Sequence, residues 1–396
     1  MFNNLKVAFE DKSNADLNRA YLLFKTINNP LISKALTKIV RLAMWLHLPI
    51  SKIIKATVYK QFCGGITIDK CQNTINNLWK YKIGTILDFS AERKQKKNDL
   101  NNVMVETIKT INEAKNKESI PFAVFKPSGL ASFNLLEKIS LNKELSTEQK
   151  KERIEFEKRV ECICKISYEN KVPVFIDAEE SWIQDAIDSI SLKMMKKFNK
   201  KQTYIFNTIQ LYRKDRIIYL NELIKNAKKN SFLIGVKLVR GAYHEKEIKR
   251  AEIMRYPCPV YKIKQDTDRD YNQAIKTCIK NIDIVSICAG THNEESCMIL
   301  IKLMKKYKIV KNDSRIHFSQ LLGMSDHISY NCAKTGFNVS KYVPYGPVKD
   351  VFPYLIRRAE ENTSISGQMG RELSNIITEK KRRKIRTKNH KPLDLH

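Results

Sequence analysis

The stretch that decides the fold begins at residue 234, where IGVKLV (234–239) forms a short apolar run containing β-branched residues. A long polar segment with helical spacing follows it, and another apolar run, IVSIC, occupies residues 284–288. Strands that alternate with helical segments indicate right-handed βαβ crossovers and a parallel sheet. This unit therefore predicts an α/β protein.

The same alternation extends in both directions from residue 234. Eight repeats are the number that a closed β/α barrel requires. An open, doubly wound sheet is the alternative, but it usually carries G-x-G-x-x-G after its first strand, and this chain has no such motif and only 12 glycines. We therefore predict a (β/α)8 TIM-type barrel. Its eight predicted strands are residues 85–89, 122–126, 172–177, 204–210, 234–239, 284–288, 316–320 and 339–343.

The rest of the chain divides into two further regions around the predicted barrel, which we assign to residues 83–377. Residues 1–82 form an N-terminal helical region, because apolar residues recur at helical spacing within 31–46 and 53–62. Residues 378–396 form a basic tail that we expect to be disordered. Between strands, residues 93–118 and 136–170 read as charged helical segments.

The charge of the chain suggests an anionic partner. Its 396 residues carry a formal net charge of +30, from 72 Lys and Arg against 42 Asp and Glu. Such a charge attracts anionic lipid, nucleic acid or an anionic substrate, although a lysine-rich coding bias would explain it equally well. Because zinc fingers, basic-region zippers and aromatic RNA-binding motifs are missing from the sequence, we expect no nucleic-acid partner. A non-catalytic basic protein that binds RNA or a membrane remains an alternative class.

Cysteine usage and hydropathy indicate a cytoplasmic protein. The nine cysteines show no C-x-x-C pair and no zinc spacing, so we predict reduced thiols and no metal site. No run approaches the ~18 apolar residues that suggest a membrane span. The first twenty residues contain Glu10, Asp11 and Asp16 and no apolar block, which argues against a signal or transit peptide.

Polar residues stand at nearly every predicted strand end, where the reacting groups of a β/α barrel gather. Any one of them alone would usually be a cap or a loop residue, but their coincidence across eight strands indicates an active site. The set comprises Asp88, Lys126, Asp177, Gln210, Arg240, residues 291–293, Gln320 and Tyr342.

A pair of arginines follows the eighth strand on a predicted helix. Glu361 lies four residues after Arg357 and three after Arg358, within helical reach of both. Adjacent guanidiniums repel unless an anion joins them, and their planar forks suit a carboxylate. A solvated helix face with an ion pair is the alternative reading of these residues.

The motifs at these positions resemble those of the proline dehydrogenase family. They occur in the family's order, and the resemblance extends over residues 84–366, with the helical N-terminal region similar to single-function bacterial members. The matching stretches are DAEE (177–180), KLVRGAY (237–243), THN (291–293), QLLGM (320–324), YVPYGP (342–347) and RRAEEN (357–362). The resemblance implies a distorted β/α barrel and a noncovalent FAD. It also implies oxidation of L-proline to 1-pyrroline-5-carboxylate, by hydride transfer to flavin N5 and electron transfer to a membrane quinone.

The resemblance also implies roles for individual residues. On the substrate side, Arg357 and Arg358 would bind the carboxylate, and Glu361 would hold the two arginines in place. Lys126 and Asp177 would complete the polar wall, and Tyr342 and Leu322 would pack on the ring. Glu92 would pair with the first arginine as a gate. On the cofactor side, Gln210 and Lys237 would meet the isoalloxazine, and Lys264 and Thr267 the pyrophosphate. The remaining cofactor contacts would be Val239, Gly241, Ala242, Tyr243, His292, Asn293, Gln320 and Leu321.

Two further expectations concern partners and substrate. A quinone acceptor requires access to lipid, so the basic residues 380–388 and the helix at 31–46 are candidates for peripheral contact with the inner face of the cell membrane. A related enzyme acting on 4-hydroxyproline is the alternative activity. The bulky phenol of Tyr342 would crowd a ring hydroxyl, which favours proline.

Overall fold

Eight parallel strands form a closed barrel in the computed structural model, which describes residues 1–46, 51–90, 97–364 and 368–389. Each strand pairs with the next along the chain, and β1 closes the barrel by pairing with β8 over seven residues, from Ile83 opposite Val339 to Phe89 opposite Tyr345. The strands are β1 (Ile83–Phe89), β2 (Phe122–Phe125), β3 (Val174–Ile176), β4 (Ile205–Gln210), β5 (Ile234–Val239), β6 (Val285–Gly290), β7 (Ile316–Leu321) and β8 (Val339–Tyr345). The predicted fold class is confirmed, and each strand lies on a predicted apolar run.

Helices surround the barrel and precede it in the chain. The helices before β1 are α1 (Leu5–Ala8), α2 (Asn14–Ile27), α3 (Pro30–Trp45), α4 (Ser51–Ile54), α5 (Lys60–Phe62) and α6 (Ile68–Trp79). The later helices are α7 (Lys97–Ala114), α8 (Phe133–Ser140), α9 (Thr147–Glu169), α10 (Ser181–Phe198), α11 (Arg216–Asn230), α12 (His244–Met254), α13 (Lys264–Lys280), α14 (Glu294–Lys306), α15 (Asp326–Lys334), α16 (Val348–Ser364) and α17 (Gln368–Asn389). Among the helices described, none is both long and apolar enough to cross a bilayer.

Local side-chain chemistry sets several helix boundaries. The segment predicted as one helical stretch over 136–170 is divided into α8 and α9, because Ser146 begins a new helix. Its hydroxyl accepts from the Gln149 backbone N–H, and the Gln149 side chain accepts from the Ser146 N–H, which forms a capping box. In the segment predicted over 93–118, helix α7 begins at Lys97, and residues 93–96 lie outside the described part of the chain.

Alternation along the strands produces two apolar layers. Phe175 of β3 points into the barrel, while its neighbours Val174 and Ile176 pack in the layer between the strands and the helices. Inside the barrel, Phe175 stacks on Phe122 with ring centroids 4.4 Å apart, and Phe206 meets both rings edge-on. These aromatic side chains fill the interior below the strand ends, so any cavity must lie above them.

The two ends of the chain pack together on the outside of the barrel. A separate apolar cluster joins Phe24 of α2, Phe62 of α5, Leu355 of α16 and Ile376 of α17. This cluster holds the helical N-terminal region and the last helix against the segment that follows β8. It thereby places α16 and α17 beside the strand ends.

The basic tail predicted to be disordered is helical as far as residue 389. Helix α17 covers residues 378–389, and residues 390–396 lie outside the described part of the chain. Glu379 is buried and pairs with Arg382 and Arg383, at 2.7 and 2.8 Å. Arg383 also donates hydrogen bonds to the Phe9 carbonyl and the Asn14 side chain. The helix forms because these tertiary contacts neutralise and bury part of a charge run that composition alone would leave in solvent.

Candidate active site

A cavity of about 570 Å³ opens at the carboxyl ends of the barrel strands. Parallel strands bring their carboxyl ends to one rim, so polar residues that are distant in sequence meet there. Helices α16 and α17 close part of the same cavity through Arg357 and Arg371. The strand-end residues on its wall include Asp88, Lys126, Asp177, Gln210, Val239, Gly290, Gln320 and Tyr342, which represent all eight strands.

Asp177 is the centre of a buried charge network on the floor of this cavity. Its carboxylate forms an ion pair with Lys237, accepts a hydrogen bond from the Tyr342 hydroxyl at 2.7 Å and lies 3.9 Å from the Lys126 ammonium. Lys126 is held in turn by Asp88 at 2.7 Å. The predicted site residues Lys126, Lys237 and Tyr342 thus all lie around the fourth, Asp177.

Electrostatics set the protonation states in this network. Burial alone would raise the pKa of the Asp177 carboxyl, but Lys237 and Lys126, with hydrogen bonds from Lys237 and Tyr342, lower it. Burial, with the negative charges of Asp177 and Asp88, raises the pKa of Tyr342 well above its ordinary value. Asp177 is therefore an ionised acceptor, and Tyr342 is a neutral phenol that donates to it. Lys237 also lies 4.9 Å from the Tyr342 ring centroid.

The wall at β4 and β5 is built from backbone and amide groups. Gln210 donates to the Glu179 carbonyl at 2.6 Å and accepts from the Ala242 N–H at 3.3 Å, which ties three strand ends together. Gly241 has a φ of +135°, and a Cβ there would lie 2.5 Å from the Tyr212 ring. Only glycine satisfies both conditions, so the chain here runs flat against Tyr212. The predicted residues Val239, Gly241, Ala242 and Tyr243 all line the cavity.

A second group of cations lies beyond β5. Arg240 donates to Asp268, Thr291 and Ser296 at 2.6, 2.5 and 3.0 Å. Lys264, in the first turn of α13, pairs with the same Asp268 at 2.5 Å. Arg240 and Lys264 line the cavity and share the Asp268 carboxylate, so these three side chains together carry one net positive charge.

The ends of β6 and β7 contribute three of the predicted residues to the wall, namely His292, Asn293 and Gln320. Asn293 also caps α14, because its side-chain oxygen accepts from the Ser296 N–H at 2.9 Å. Gln320 donates to the Thr291 carbonyl at 3.0 Å and accepts from the Ser329 hydroxyl at 2.8 Å. These bonds hold the two side chains in place and commit part of their hydrogen-bonding capacity to the protein itself.

Helix α16 brings Arg357 to the cavity. Its guanidinium carbon lies 5.7 Å from the centroid of the Tyr243 ring, so the fork faces the wall formed by the end of β5. The backbone of α16 includes positions 358 and 361, but the side chains of Arg358 and Glu361 lie outside the described part of the molecule. Glu92, predicted as a gate, also lies outside it.

Two predicted residues have other positions in the structure. Leu322 packs against the core between strands and helices, whereas Leu321 lines the cavity and packs against the barrel interior. Successive residues of an extended chain point to opposite sides, so the apolar contact assigned to Leu322 is available from Leu321. Thr267 begins the buried stripe of α13 with Asp270 and Tyr271, and the described cavity wall does not include it.

Several wall residues were not predicted. Thr208, Met324, Ser325, His327, Tyr354, Arg371 and Glu372 all line the cavity. Tyr354 lies one turn before Arg357 on α16, so helical spacing could have predicted its position in the wall. Arg371 and Glu372 belong to α17, which follows the barrel, and no local motif marked them. His327 contacts Glu294 at 3.0 Å, and Arg371 reaches the same carboxylate oxygen at 2.7 Å.

Comparison with known proteins shows which family this chain resembles. The family model described as proline dehydrogenase matches residues 71–371. Proline dehydrogenase 1 of Dictyostelium discoideum, a mitochondrial protein, is 31% identical over 421 residues, covering 95% of this chain and 74% of that protein. The carbapenem antibiotics biosynthesis protein CarD of Pectobacterium carotovorum subsp. carotovorum is 34% identical over 311 residues, covering 78% of this chain and 80% of that protein.

The fold is also shared with solved structures. Proline utilization A (PutA) from Bdellovibrio bacteriovorus, inactivated by N-propargylglycine, superposes with a TM-score of 0.72 at 20% identity. The alignment covers 91% of this chain and 38% of the PutA chain, so the likeness concerns one part of a longer protein. The family match across the barrel, together with the relatives that align over most of their length, shows that the chain belongs to the proline dehydrogenase family.

Proposed function

We propose that the protein oxidises L-proline to 1-pyrroline-5-carboxylate, using a noncovalent FAD and passing the electrons on to a quinone. The observation that carries the proposal is the meeting of the Asp177 network and Arg357 at one cavity. Proline offers a carboxylate, an amine and an apolar ring. The cavity offers a guanidinium for the carboxylate, a polar and charged floor for the amine, and aromatic surfaces for the apolar ring.

The residues present fit FAD by their chemistry. When bound, FAD would supply the electron sink that accepts a hydride at N5. Gln210 has an amide, and Lys237 an ammonium, with which to hold the polar edge of a flat ring, and a cation there favours a reduced, anionic flavin. Arg240 and Lys264 suit the pyrophosphate charge. The absence of a side chain at Gly241 lets a planar ligand approach the backbone closely.

On the substrate side, the residues of the chain position proline and exclude solvent, and they do not react with the substrate themselves. Arg357 would bind the proline carboxylate through its fork, because two parallel N–H donors fix the orientation of the ring as well as its place. Tyr342 stays a neutral phenol, and its side chain lines the cavity, where it can contact the apolar ring of proline. The Lys126–Asp177–Lys237 network holds the floor rigid, since moving any member would separate buried opposite charges.

The direct test is the absorption spectrum of the purified protein. We expect a flavin spectrum that is bleached when L-proline is added without oxygen, and a smaller response to 4-hydroxy-L-proline because Tyr342 crowds a ring hydroxyl. A colourless preparation that takes up no added FAD would contradict the proposal. Faster bleaching by 4-hydroxy-L-proline than by L-proline would instead assign the alternative activity.

The role of Arg357 has its own test. Arg357→Met should raise the proline KM roughly 10- to 150-fold, because losing a charge-assisted contact costs ~1.5–3 kcal/mol. The FAD content should stay unchanged. Arg153→Met, which removes a half-exposed arginine of α9, serves as the matched control and should change neither value. If Arg357→Met loses FAD but keeps its affinity for proline, the substrate role is wrong.

We further propose that helix α3 contacts the membrane in which the quinone is dissolved. Its Leu31, Ile32, Leu36 and Ile39 are 82, 46, 42 and 60% exposed, and Lys38 among them is exposed too. An amphipathic helix with apolar and basic side chains suits the surface of an anionic bilayer. The helix packs against α2 and α16, which places lipid contact near the helix that carries Arg357.

Vesicle binding tests this second proposal. The double variant Leu36→Gln, Ile39→Gln should bind less to vesicles that contain anionic phospholipid. The control, Ile218→Gln, removes a side chain that is 63% exposed on α11, and it should bind as the unmodified protein does. Equal binding by all three proteins would remove α3 from consideration.

A further inference from the structure

A short segment of the N-terminal region lies against the rim of the barrel. We call residues 59–65, which include α5 and end before α6, the clamp segment. A π-helical turn, Lys55–Tyr59, leads into it, and such turns are rare and concentrate at functional sites. The described wall of the cavity does not include the clamp segment, so any influence on the site must pass through the loops that the segment contacts.

The last two residues of the clamp segment are hydrogen-bonded to the end of β8. The Gly64 N–H donates to the Pro344 carbonyl at 2.9 Å, and the Gly346 N–H donates to the Gly65 carbonyl at 3.0 Å. These bonds form a short parallel bridge between the two stretches of backbone. A Cβ at Gly64 would lie 2.5 Å from the Val343 side chain, so the absence of a side chain at Gly64 allows this close approach.

Tyr59 reaches the turn that follows β8. Its side chain is buried, and its hydroxyl oxygen lies 2.5 Å from the Gly65 carbonyl oxygen and 2.8 Å from the Gly346 carbonyl oxygen. The single hydroxyl proton is shared between these two acceptors, which ties the clamp segment to the turn. Gly346 has a φ of +136°, and α16, which carries Arg357, begins two residues later. The direction in which α16 leaves the barrel therefore depends on this turn.

Gln61 of the clamp segment holds a second loop, which connects β7 to α15. Its side-chain amide donates to the Gly323 carbonyl at 3.0 Å. Gly323 has a φ of +76°, and a Cβ there would overlap the Gln61 carbonyl oxygen, so the two backbones are in contact. Leu321 and Met324, on either side of Gly323, line the cavity. The clamp segment thus joins the loop that carries these two wall residues to the turn that leads to Arg357.

An apolar cluster fills the space between the clamp segment and the two structures that it joins. Tyr59 and Phe62 pack in this cluster with Met324 of the β7–α15 loop and Val351 of α16, and all four side chains are buried. Burial of apolar surface favours contact but is non-directional. The hydrogen bonds of Tyr59 and Gln61 therefore determine how the loop and the turn are placed relative to each other.

We infer that the clamp segment sets the spacing between Leu321 and Arg357, with Tyr59 and Gln61 as positioning residues for the substrate. The inference rests on the proposed function, in which Arg357 binds the proline carboxylate, and on Leu321 as the apolar contact of the ring. Two groups that grip one small molecule must be held at a fixed distance if both contacts are to form together. The residues assigned to the flavin ring belong to β4 and β5. Loosening the clamp segment should therefore weaken proline binding and leave the cofactor in place.

The test compares three variants of the full chain with the wild-type protein. Tyr59→Phe and Gln61→Met each remove the hydrogen-bonding group and keep most of the side-chain volume. The matched control is Tyr204→Phe. Tyr204 is 7% exposed against 6% for Tyr59, and its hydroxyl donates to Gln202 at 3.0 Å where β4 begins, at the end of the barrel away from the cavity. The readouts are KM and kcat for L-proline, FAD affinity by quenching of flavin fluorescence, and hydrogen exchange of residues 321–326 and 345–350 by mass spectrometry.

We expect Tyr59→Phe and Gln61→Met each to raise the proline KM roughly two- to tenfold, which corresponds to the loss of one hydrogen bond. The values of kcat and FAD affinity should stay unchanged. Exchange should accelerate in residues 345–350 for Tyr59→Phe and in residues 321–326 for Gln61→Met. Tyr204→Phe should lose comparable stability in urea and leave KM and the exchange of both stretches at wild-type values, which separates positioning from a general loss of stability.

Failure of the inference and failure of the proposed function give different results. If wild-type protein oxidises proline and both clamp variants keep its KM, the inference is wrong and the proposed function stands. An equal rise in KM for Tyr204→Phe, or a loss of FAD with KM unchanged, also overturns the inference. If wild-type protein neither binds FAD nor oxidises proline, the proposed function fails, and unchanged exchange in the variants would then refute the clamp as well. Gln61→Met carries the test if Tyr59→Phe does not fold.

Discussion

Replacing Asp177 with Asn tests whether the network on the cavity floor is held by charge. The substitution keeps the shape of the side chain and removes its negative charge. Lys126 retains Asp88 at 2.7 Å, but Lys237, whose side chain is 7% exposed, loses its ion-pair partner. The perturbation therefore leaves one buried cation without compensation, apart from the Phe175 and Tyr342 rings at 5.1 and 4.9 Å.

The expected loss of stability follows from the burial of Lys237 without an ion-pair partner. Breaking a buried pair by removing one partner costs ~3–5 kcal/mol. The Lys237 side chain is only 7% exposed, so solvent can offset little of this loss. We therefore expect Asp177→Asn to lower the free energy of unfolding by ~3–5 kcal/mol at pH 7.

The assay is urea unfolding of the flavin-free protein followed by circular dichroism, since bound cofactor would add its own stabilisation. The double variant Asp177→Asn, Lys237→Met should regain much of the loss, because no uncompensated charge remains. The control, Glu157→Gln, breaks a surface pair with Lys193 of 2.7 Å and should cost no more than ~1 kcal/mol. A loss under 1 kcal/mol for Asp177→Asn, or a double variant less stable than it, would refute the reasoning.

Two further predictions concern pH and backbone geometry. Burial and the nearby Asp326 raise the pKa of Glu372 from 4.5 to about 7, so its stabilising contribution is complete below 4.5 and lost as the pH rises through 7. Between pH 5 and 8, wild-type protein should lose up to about 3 kcal/mol more unfolding free energy than Glu372→Gln, and parallel curves would contradict this. Gly241→Ala should lower the melting temperature and weaken FAD binding, since its Cβ would lie 2.5 Å from the Tyr212 ring. Gly336→Ala, at a φ of +94° with nothing within 4 Å, should show only the backbone cost of ~1–3 kcal/mol, and its FAD affinity should be unchanged.

The barrel itself was predictable because its signals are local. Each strand is a short apolar run such as IGVKLV, and each intervening helix shows its own period, so the number and order of units can be counted without knowing any contact. The topology then places strand ends on one rim, which is why Asp177 and Lys237 could be expected near each other although they are far apart in sequence.

Single-residue orientation was harder to predict than membership of the site. Leu321 and Leu322 are equivalent by composition, and only the pleat at the end of β7 decides which of them meets the cavity. Thr267 is one helical turn from Lys264, and the packing of α13 turns it into the core. In both cases the difference between the expected and the observed orientation is a rotation about a local axis, to which the sequence pattern is insensitive.

The sequence by itself determined the eight-unit barrel, the polar rim and the arginine-bearing helix, because spacing along the chain encodes each of them. Only the tertiary structure decided that residues 378–389 are helical and that Glu372 reaches Ser325 from beyond the barrel. Those facts depend on contacts between the two ends of the chain, such as Arg383 with the Phe9 carbonyl. Contacts of that kind leave no local period or motif, since their energy arises only when distant segments have already been brought together.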